Sequence, residues 1–391
     1  SKLEISSKGQ FDSRYSRGRP RSEASLPNRW DCSLNYNRGN KDRERMRGIA
    51  LRRASLWERK EEKEVECHLC ERRCSIEEGK RGFCGMRLNE DGSLFTISYG
   101  NLSAIESRPI EIKPFYHFYP GSTALTISTY SCNFPCPWCQ NWQISKQIEE
   151  EGRFVSPEEI IEMALGRDDG ICVSFTEPTL LYEYCLELFP LAKEKGLYNC
   201  IVSNGYMTAE ALKGLREARL DAIKIDIKGT PEKYKKFLKA DGEIPWRNAR
   251  LSLEMGMHLE IVVLMVSSVN DAEEDLIWII ERHLKDLGDS VPIHFTRYFP
   301  AYRFHAPPTE LRKMEWAYEE ARKRGVKFVY LGNVPGHRYE NTYCPSCQTP
   351  LITRYSFEVL SINILNGCCP NCGERIPVIM KEGGERWRKT P

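Results

Sequence analysis

The chain has 391 residues, 41% of them apolar, and a formal charge of +2. That is enough for one large domain with small ones attached; no run approaches eighteen apolar residues and the polar, basic start has no apolar signal region, so neither a membrane span nor a secretory leader is expected. Sixteen cysteines, mostly in CxxC-type pairs, point to metal ligation in a reducing cytoplasm and away from disulfides.

Residues 1–45 are rich in Ser, Arg, Asn and Gly, lack periodicity and carry a net +5, so a disordered extension is expected, with Met46 as the natural start. The rest nets −3, which gives nucleic-acid binding no support. A cysteine-rich module and linker should span 46–120. Cys67, Cys70, Cys74 and Cys84 lie within eighteen residues, a strong metal signal that matches neither a zinc ribbon nor a standard ferredoxin run. Zinc in a structural role is the first reading, since nothing nearby in sequence marks a reactive site; an auxiliary iron–sulfur cluster is the alternative.

A short apolar strand, Ala124 to Tyr130, then leads into Ser131-Cys132-Asn133-Phe134-Pro135-Cys136-Pro137-Trp138-Cys139. The two prolines keep the loop from becoming helix. Three thiolates can hold three irons of a cubane cluster, and the missing fourth cysteine leaves one iron open to an amino and carboxylate chelate. A zinc loop completed by a distant ligand is the competing reading. From here strands alternate with helices. Strands are expected at Ala124–Tyr130, Ile171–Phe175, Tyr198–Ser203, Ala222–Ile227, His258–Val266, Pro292–Phe299 and Lys327–Leu331. Helices are expected at Pro157–Leu165, Leu180–Lys195, Ala209–Ala218, Pro231–Leu238, Ala272–Leu287 and Glu310–Arg324. Repeated βα units imply a parallel sheet, as a partial or full (β/α) barrel over 121–335, whose chemistry sits at strand C-terminal ends.

Those ends carry Glu177 in Phe175-Thr176-Glu177-Pro178, Ser203 and Asn204 before Gly205, and Asp226 with Lys228. Glu177 can accept from an ammonium group or simply begin a helix; Ser203 and Asn204 suit ribose hydroxyls or a turn. Asp226 and Lys228 share one side of their strand, as a polar site or an ion pair. His294 or Arg297 on the sixth strand could reach a substrate. In the tail, 336–391, Cys344, Cys347, Cys369 and Cys372 form two CPxC knuckles of zinc-ribbon or rubredoxin type. Zinc is the first choice there, mononuclear iron or an auxiliary cluster the others. Cys32, Cys172, Cys185 and Cys200 lack partners at metal spacing, and Cys368 is a spare thiol.

The CxxxCxxC loop with Trp138 before its last cysteine resembles the signature of the radical S-adenosylmethionine (radical SAM) superfamily. The CHLC-ERRC…GFCGMR module, CNFPCPWCQN, FTEP, SNGY, HFTRYFP, GNVPGH and NTYCP, in that order, resemble the radical SAM protein of the AmmeMemoRadiSam system, related to pyruvate formate-lyase activating enzymes. The resemblance implies an α/β fold, a partial (β/α)6-type barrel with small cysteine-rich metal-binding modules at both ends. It implies a [4Fe-4S] cluster on Cys132, Cys136 and Cys139, and SAM held near Trp138, Glu177, Ser203, Asn204 and Asp226. SAM would be cleaved reductively to a 5'-deoxyadenosyl radical that takes hydrogen from a small-molecule or protein substrate. An electron donor such as ferredoxin or flavodoxin is implied, and the other proteins of that system are candidate partners. Two glycines usual before the acid are here Phe175 and Thr176. The alternatives are a glycyl-radical enzyme activase and, in another class, a non-enzymatic multi-zinc scaffold or nucleic-acid-binding protein.

Overall fold

The computed structural model describes residues 51–149, 154–381 and 386–388. The expectations for residues 1–45, for Met46 and for Cys32 lie outside the described residues. Two three-stranded antiparallel sheets open the fold. One pairs Arg52–Arg53, Ser93–Thr96 and Arg87–Glu90; the other pairs Trp57–Arg59, Val65–Cys67 and Ser75–Ile76.

The main sheet follows. Its strands are β1 (Leu102–Pro109), β2 (Thr123–Thr129), β3 (Gly170–Val173), β4 (Tyr198–Ser203), β5 (Ala222–Ile227), β6 (His258–Met265), β7 (Ile293–Arg297) and β8 (Val329–Gly332). They lie side by side in chain order. β2 to β8 are parallel and β1 runs antiparallel along the edge. The parallel part therefore has seven strands, one more than the six-strand type. The strands are Ile- and Val-rich because the outer layer of helices covers one face and the barrel interior the other. On β5, Ile223, Ile225 and Ile227 are fully buried on one side, while Lys224 and Asp226 occupy the other, as alternation requires.

The helices are α1 (Pro157–Ala164), α2 (Tyr182–Glu194), α3 (Ala209–Glu217), α4 (Glu243–Glu254), α5 (Glu273–Leu287) and α6 (Leu311–Lys323). A capping box of Ser156 and Glu159 starts α1, and Thr208 caps α3. The helix expected at Pro231–Leu238 is one short α turn passing into a π segment. α4 was not expected; its Pro245 falls in the first turn, where a missing N–H breaks no intrahelical bond. The C-terminal strands Pro350–Tyr355 and Glu358–Asn363 form a hairpin flanked by Thr342–Tyr343 and Arg386–Arg388. Its apolar side shares a core with Tyr116, Phe328 and Tyr330. No helix among the described residues is long and apolar enough to cross a membrane.

The N-terminal half of β6 carries Glu260, fully buried. It accepts hydrogen bonds from the backbone N–H of Tyr116 (3.0 Å) and His117 (2.8 Å), and pairs with His258 (2.9 Å) and His294 (2.7 Å). His294 is thereby committed to a structural knot near the strands' N-terminal ends, and Arg297 donates to the Thr309 carbonyl (2.9 Å). Sequence alternation could not separate these uses from substrate contact.

Candidate active site

β2 ends into the cysteine loop through Ser131, which adopts φ +69°. The Ser131 N–H donates to Ile144 O (2.9 Å) and its hydroxyl to Cys84 O (2.6 Å). Two aromatic side chains pin the loop. Phe134 packs on Tyr206 and Tyr234, and Trp138 meets Phe237 and Phe304 edge-on at 5.5 and 5.8 Å. Trp138 is only 3% exposed, so its visible role is to anchor the loop. Cys132 Sγ receives the Phe134 N–H at 3.4 Å, and Cys139 Sγ lies 3.0 Å from Ser145 Oγ.

Burial pushes the Cys132 and Cys136 thiols up, Cys132 to about 12, while Lys146 opposes this at both and Lys228 at Cys136. Lys146 is held in the loop by the Phe134 carbonyl (2.6 Å). Two ammonium groups beside three thiols suit an anionic thiolate–metal assembly. The three sulfur atoms do not meet at one point. Among the described residues, mutual approach of candidate ligand atoms within 4.8 Å occurs in the Cys344, Cys347, Cys369, Cys372 quartet and in a group of exposed Glu58 with half-buried Glu66 and His68. A spread thiol trio suits a polynuclear cluster, in which each thiolate binds its own iron, better than one ion.

The neighbouring strand ends complete a polar rim. Glu177 is 1% exposed and committed to protein donors: Thr179 N (3.1 Å), Thr179 Oγ1 (2.6 Å) and Ser203 Oγ (2.8 Å) at Oε1, and Asn204 N (2.9 Å) at Oε2. It ties the end of β3 to that of β4. Burial raises its pKa against these four donors. Asn204 Nδ2 donates to Asn133 Oδ1 (2.7 Å) and lies 3.8 Å from Cys132 Sγ, so it joins the loop to the rim. Gly205 follows at φ +71°, where a Cβ would stand 2.9 Å from Ile225, so no other residue fits without a shift. Asp226 sits between Lys224 (2.6 Å) and Lys228 (3.4 Å). Burial alone would raise its carboxyl, but the two ammonium groups outweigh it and hold it below the usual range.

Sequence reasoning missed Lys113 and Lys146. Lys113 is buried with its Nζ 3.7 Å from the centre of the Phe175 ring, and burial lowers its pKa to about 8. Lys113 lies far from any motif, and Lys146, though close to the cysteine loop, matches no pattern that marks a lysine there. Phe175 itself holds φ +66°, the left-handed region that a glycine enters without strain, and its carbonyl accepts from Asn141 (2.7 Å).

The tail quartet closes tightly. Cys344 and Cys372 lie 3.5 Å apart and Cys347 and Cys369 3.6 Å apart. A tetrahedral ion with bonds of about 2.3 Å sets its sulfur atoms about 3.8 Å apart, so the tail fits one ion of zinc type. Cys368 is outside the quartet. Cys172, Cys185 and Cys200 are buried and, like all described cysteines, unpaired by disulfides.

A model of the radical SAM superfamily matches residues 126–279. Uncharacterized protein MJ0808 of Methanocaldococcus jannaschii is 40% identical over 336 residues, 84% of this chain and 100% of the relative. From the same organism, putative glycyl-radical enzyme activating enzyme MJ1227 is 34% identical over 128 residues, 32% of this chain and 52% of the relative. Among solved structures, a domain of pyruvate-formate lyase-activating enzyme from Bacteroides vulgatus aligns at 17% identity with a TM-score of 0.37, covering 42% of this chain and 99% of that one.

Proposed function

Since the chain belongs to the radical SAM superfamily, whose members are enzymes, we propose that it cleaves S-adenosylmethionine reductively at a [4Fe-4S] cluster on Cys132, Cys136 and Cys139. The observation that carries this reading is the loop itself: three thiols at the C-terminal end of β2, spread too widely for one ion and faced by two ammonium groups. Cluster and SAM together supply a 5'-deoxyadenosyl radical for hydrogen abstraction from a small-molecule or protein substrate. The chain's own residues hold and shield. Trp138 and Phe134 fix the loop, and Lys146 and Lys228 offset its negative charge. Glu177 sets Ser203 and Asn204 at the rim, where they face SAM with Asp226. The tail quartet holds a structural zinc. A cytoplasmic location, a ferredoxin- or flavodoxin-type electron donor and the other AmmeMemoRadiSam proteins as partners belong to the same proposal. So does a division into 46–120, 121–335 and 336–391.

The test is anaerobic. Reconstituted protein given SAM and a strong reductant forms 5'-deoxyadenosine, and Cys136→Ala abolishes it; cleavage retained in that variant sinks the assignment. A second reading, activation of a glycyl-radical enzyme, is favoured by the match to the activating-enzyme relative over 32% of this chain. It requires a glycyl radical signal to appear in a partner protein on mixing.

A further inference from the structure

The N-terminal cysteines are built differently from the tail quartet. Cys67, Cys70, Cys74 and Cys84 all line one cavity, together with Leu69 and Leu180. Yet no three of their sulfur atoms lie within 4.8 Å of one another, unlike those of the tail. A single tetrahedral ion needs sulfur atoms about 3.8 Å apart. The same fold thus contains one quartet closed to single-ion size and one whose sulfur atoms stand wider than a single ion allows.

Two buried side chains bring N–H donors to the open quartet. Arg87 lines the cavity, is 1% exposed, and spends both terminal nitrogens on Glu183 (2.9 and 2.8 Å). Its Nε has no acceptor. Asn133, fully buried, offers its side-chain amide to the Cys70 sulfur. A buried N–H without a partner, such as Arg87 Nε, is destabilising, and cluster sulfurs are acceptors that would remove that cost.

We propose that Cys67, Cys70, Cys74 and Cys84 ligate a second iron–sulfur cluster of the four-iron, all-cysteine class, seated against the SAM loop. The module is joined to that loop directly. Ser131 donates to the Cys84 carbonyl (2.6 Å) and Arg72 Nε to the Asn133 carbonyl (3.0 Å). Asn133 follows Cys132 in the chain, stands beside Cys70 and accepts from Asn204. In this place the second cluster exchanges one electron with the loop's site: a low-potential protein donor supplies one, one passes on, and no proton moves. That role, though not the site's identity, rests on the reading above.

The test uses the full chain, reconstituted anaerobically with iron and sulfide, and counts metals alongside electron paramagnetic resonance of the reduced protein. The proposal expects about eight irons and about one zinc per chain. A triple variant, C132A/C136A/C139A, keeps about four irons and one reduced-cluster signal. The paired variant C70S/C84S loses about four irons and keeps the loop's signal, now free of the broadening that two neighbouring reduced clusters produce in the wild type. Only about four irons together with about two zincs in the wild type, and all of that iron lost in the triple variant, would overturn the proposal while leaving the loop reading intact. If C70S/C84S does not fold, Asn133→Leu decides. Loss of an N–H aimed at a cluster sulfur lowers the potential of the signal that survives in the triple variant, and an unchanged potential counts against the site.

Discussion

At the scale of single residues, Glu177 and Lys113 define what the rim can do. Glu177 accepts four bonds from protein donors, which makes it a positioning residue for Ser203 and Asn204. Replacing it by Gln puts an N–H₂ against donors, so Glu177→Gln should lower Tm by the equivalent of about 1–3 kcal/mol and weaken SAM binding in the same variant. Thermal unfolding and equilibrium binding of SAM check this; weaker binding at unchanged Tm would instead make the carboxylate a direct ligand. Lys113 has a folded-state pKa of about 8, below its ordinary 10.5. Below pH 8 the ammonium is charged in both states and its burial cost is present in full. Between pH 8 and 10.5 the folded state gives up its proton first and that cost fades, so this group's contribution improves as pH rises. Lys113→Met should therefore be the more stable protein at pH 7, by up to about 3 kcal/mol, with the gap closing by pH 10. Denaturant unfolding across that range reads it directly.

At the scale of elements, the strand ends were the legible part. Alternation and βα spacing located all seven parallel strands, because buried parallel strands are apolar and bounded by polar turns. The cysteine loop, the Glu177 turn and the Ser203–Asn204 turn were visible because each interrupts such a run with chemistry. What was hidden depends on tertiary neighbours. β1 reads as linker, α4 went unread, and the N-terminal cysteines read as remote from the site, although Ser131 bonds to Cys84. Backbone strain was equally invisible: Ser131, Phe175, Ser268 and Asn333 all take positive φ just beyond strand C-terminal ends. Such strain gathers where a fold holds functional groups in place. The tail is also less separate than its sequence suggests. Ile379 pairs with the 117–119 segment through N–H to His117 O (2.8 Å) and Tyr119 N–H to its own carbonyl (2.7 Å). Arg354 donates to Tyr116 O (2.9 Å). Cys344→Ser should therefore release the tail ion and lower one shared unfolding transition; calorimetry showing an early, separate tail transition would contradict the shared core.

At the scale of the whole molecule, the barrel divides its labour along the strand axis. The C-terminal ends carry thiols, lysines and strained turns; the N-terminal half carries a buried knot in which Glu260 is shared by two histidines and two backbone N–H groups. Burial pushes the Glu260 carboxyl up, but His258 and His294 outweigh it and hold the group well below its ordinary range. A depressed carboxylate contributes stability at neutral pH that is lost as pH falls through the folded value. Removing it strands two imidazoles and two N–H donors in the interior. Glu260→Ala should thus cost about 3–5 kcal/mol of stability. Because the knot lies away from the rim, folded Glu260→Ala protein should still form 5'-deoxyadenosine at the wild-type rate per loop cluster. Measuring unfolding and SAM cleavage on one preparation separates the two ends. Lost cleavage at unchanged stability would move Glu260 into the active site, whereas lost stability with cleavage intact fixes the chemistry at the strand C-terminal ends.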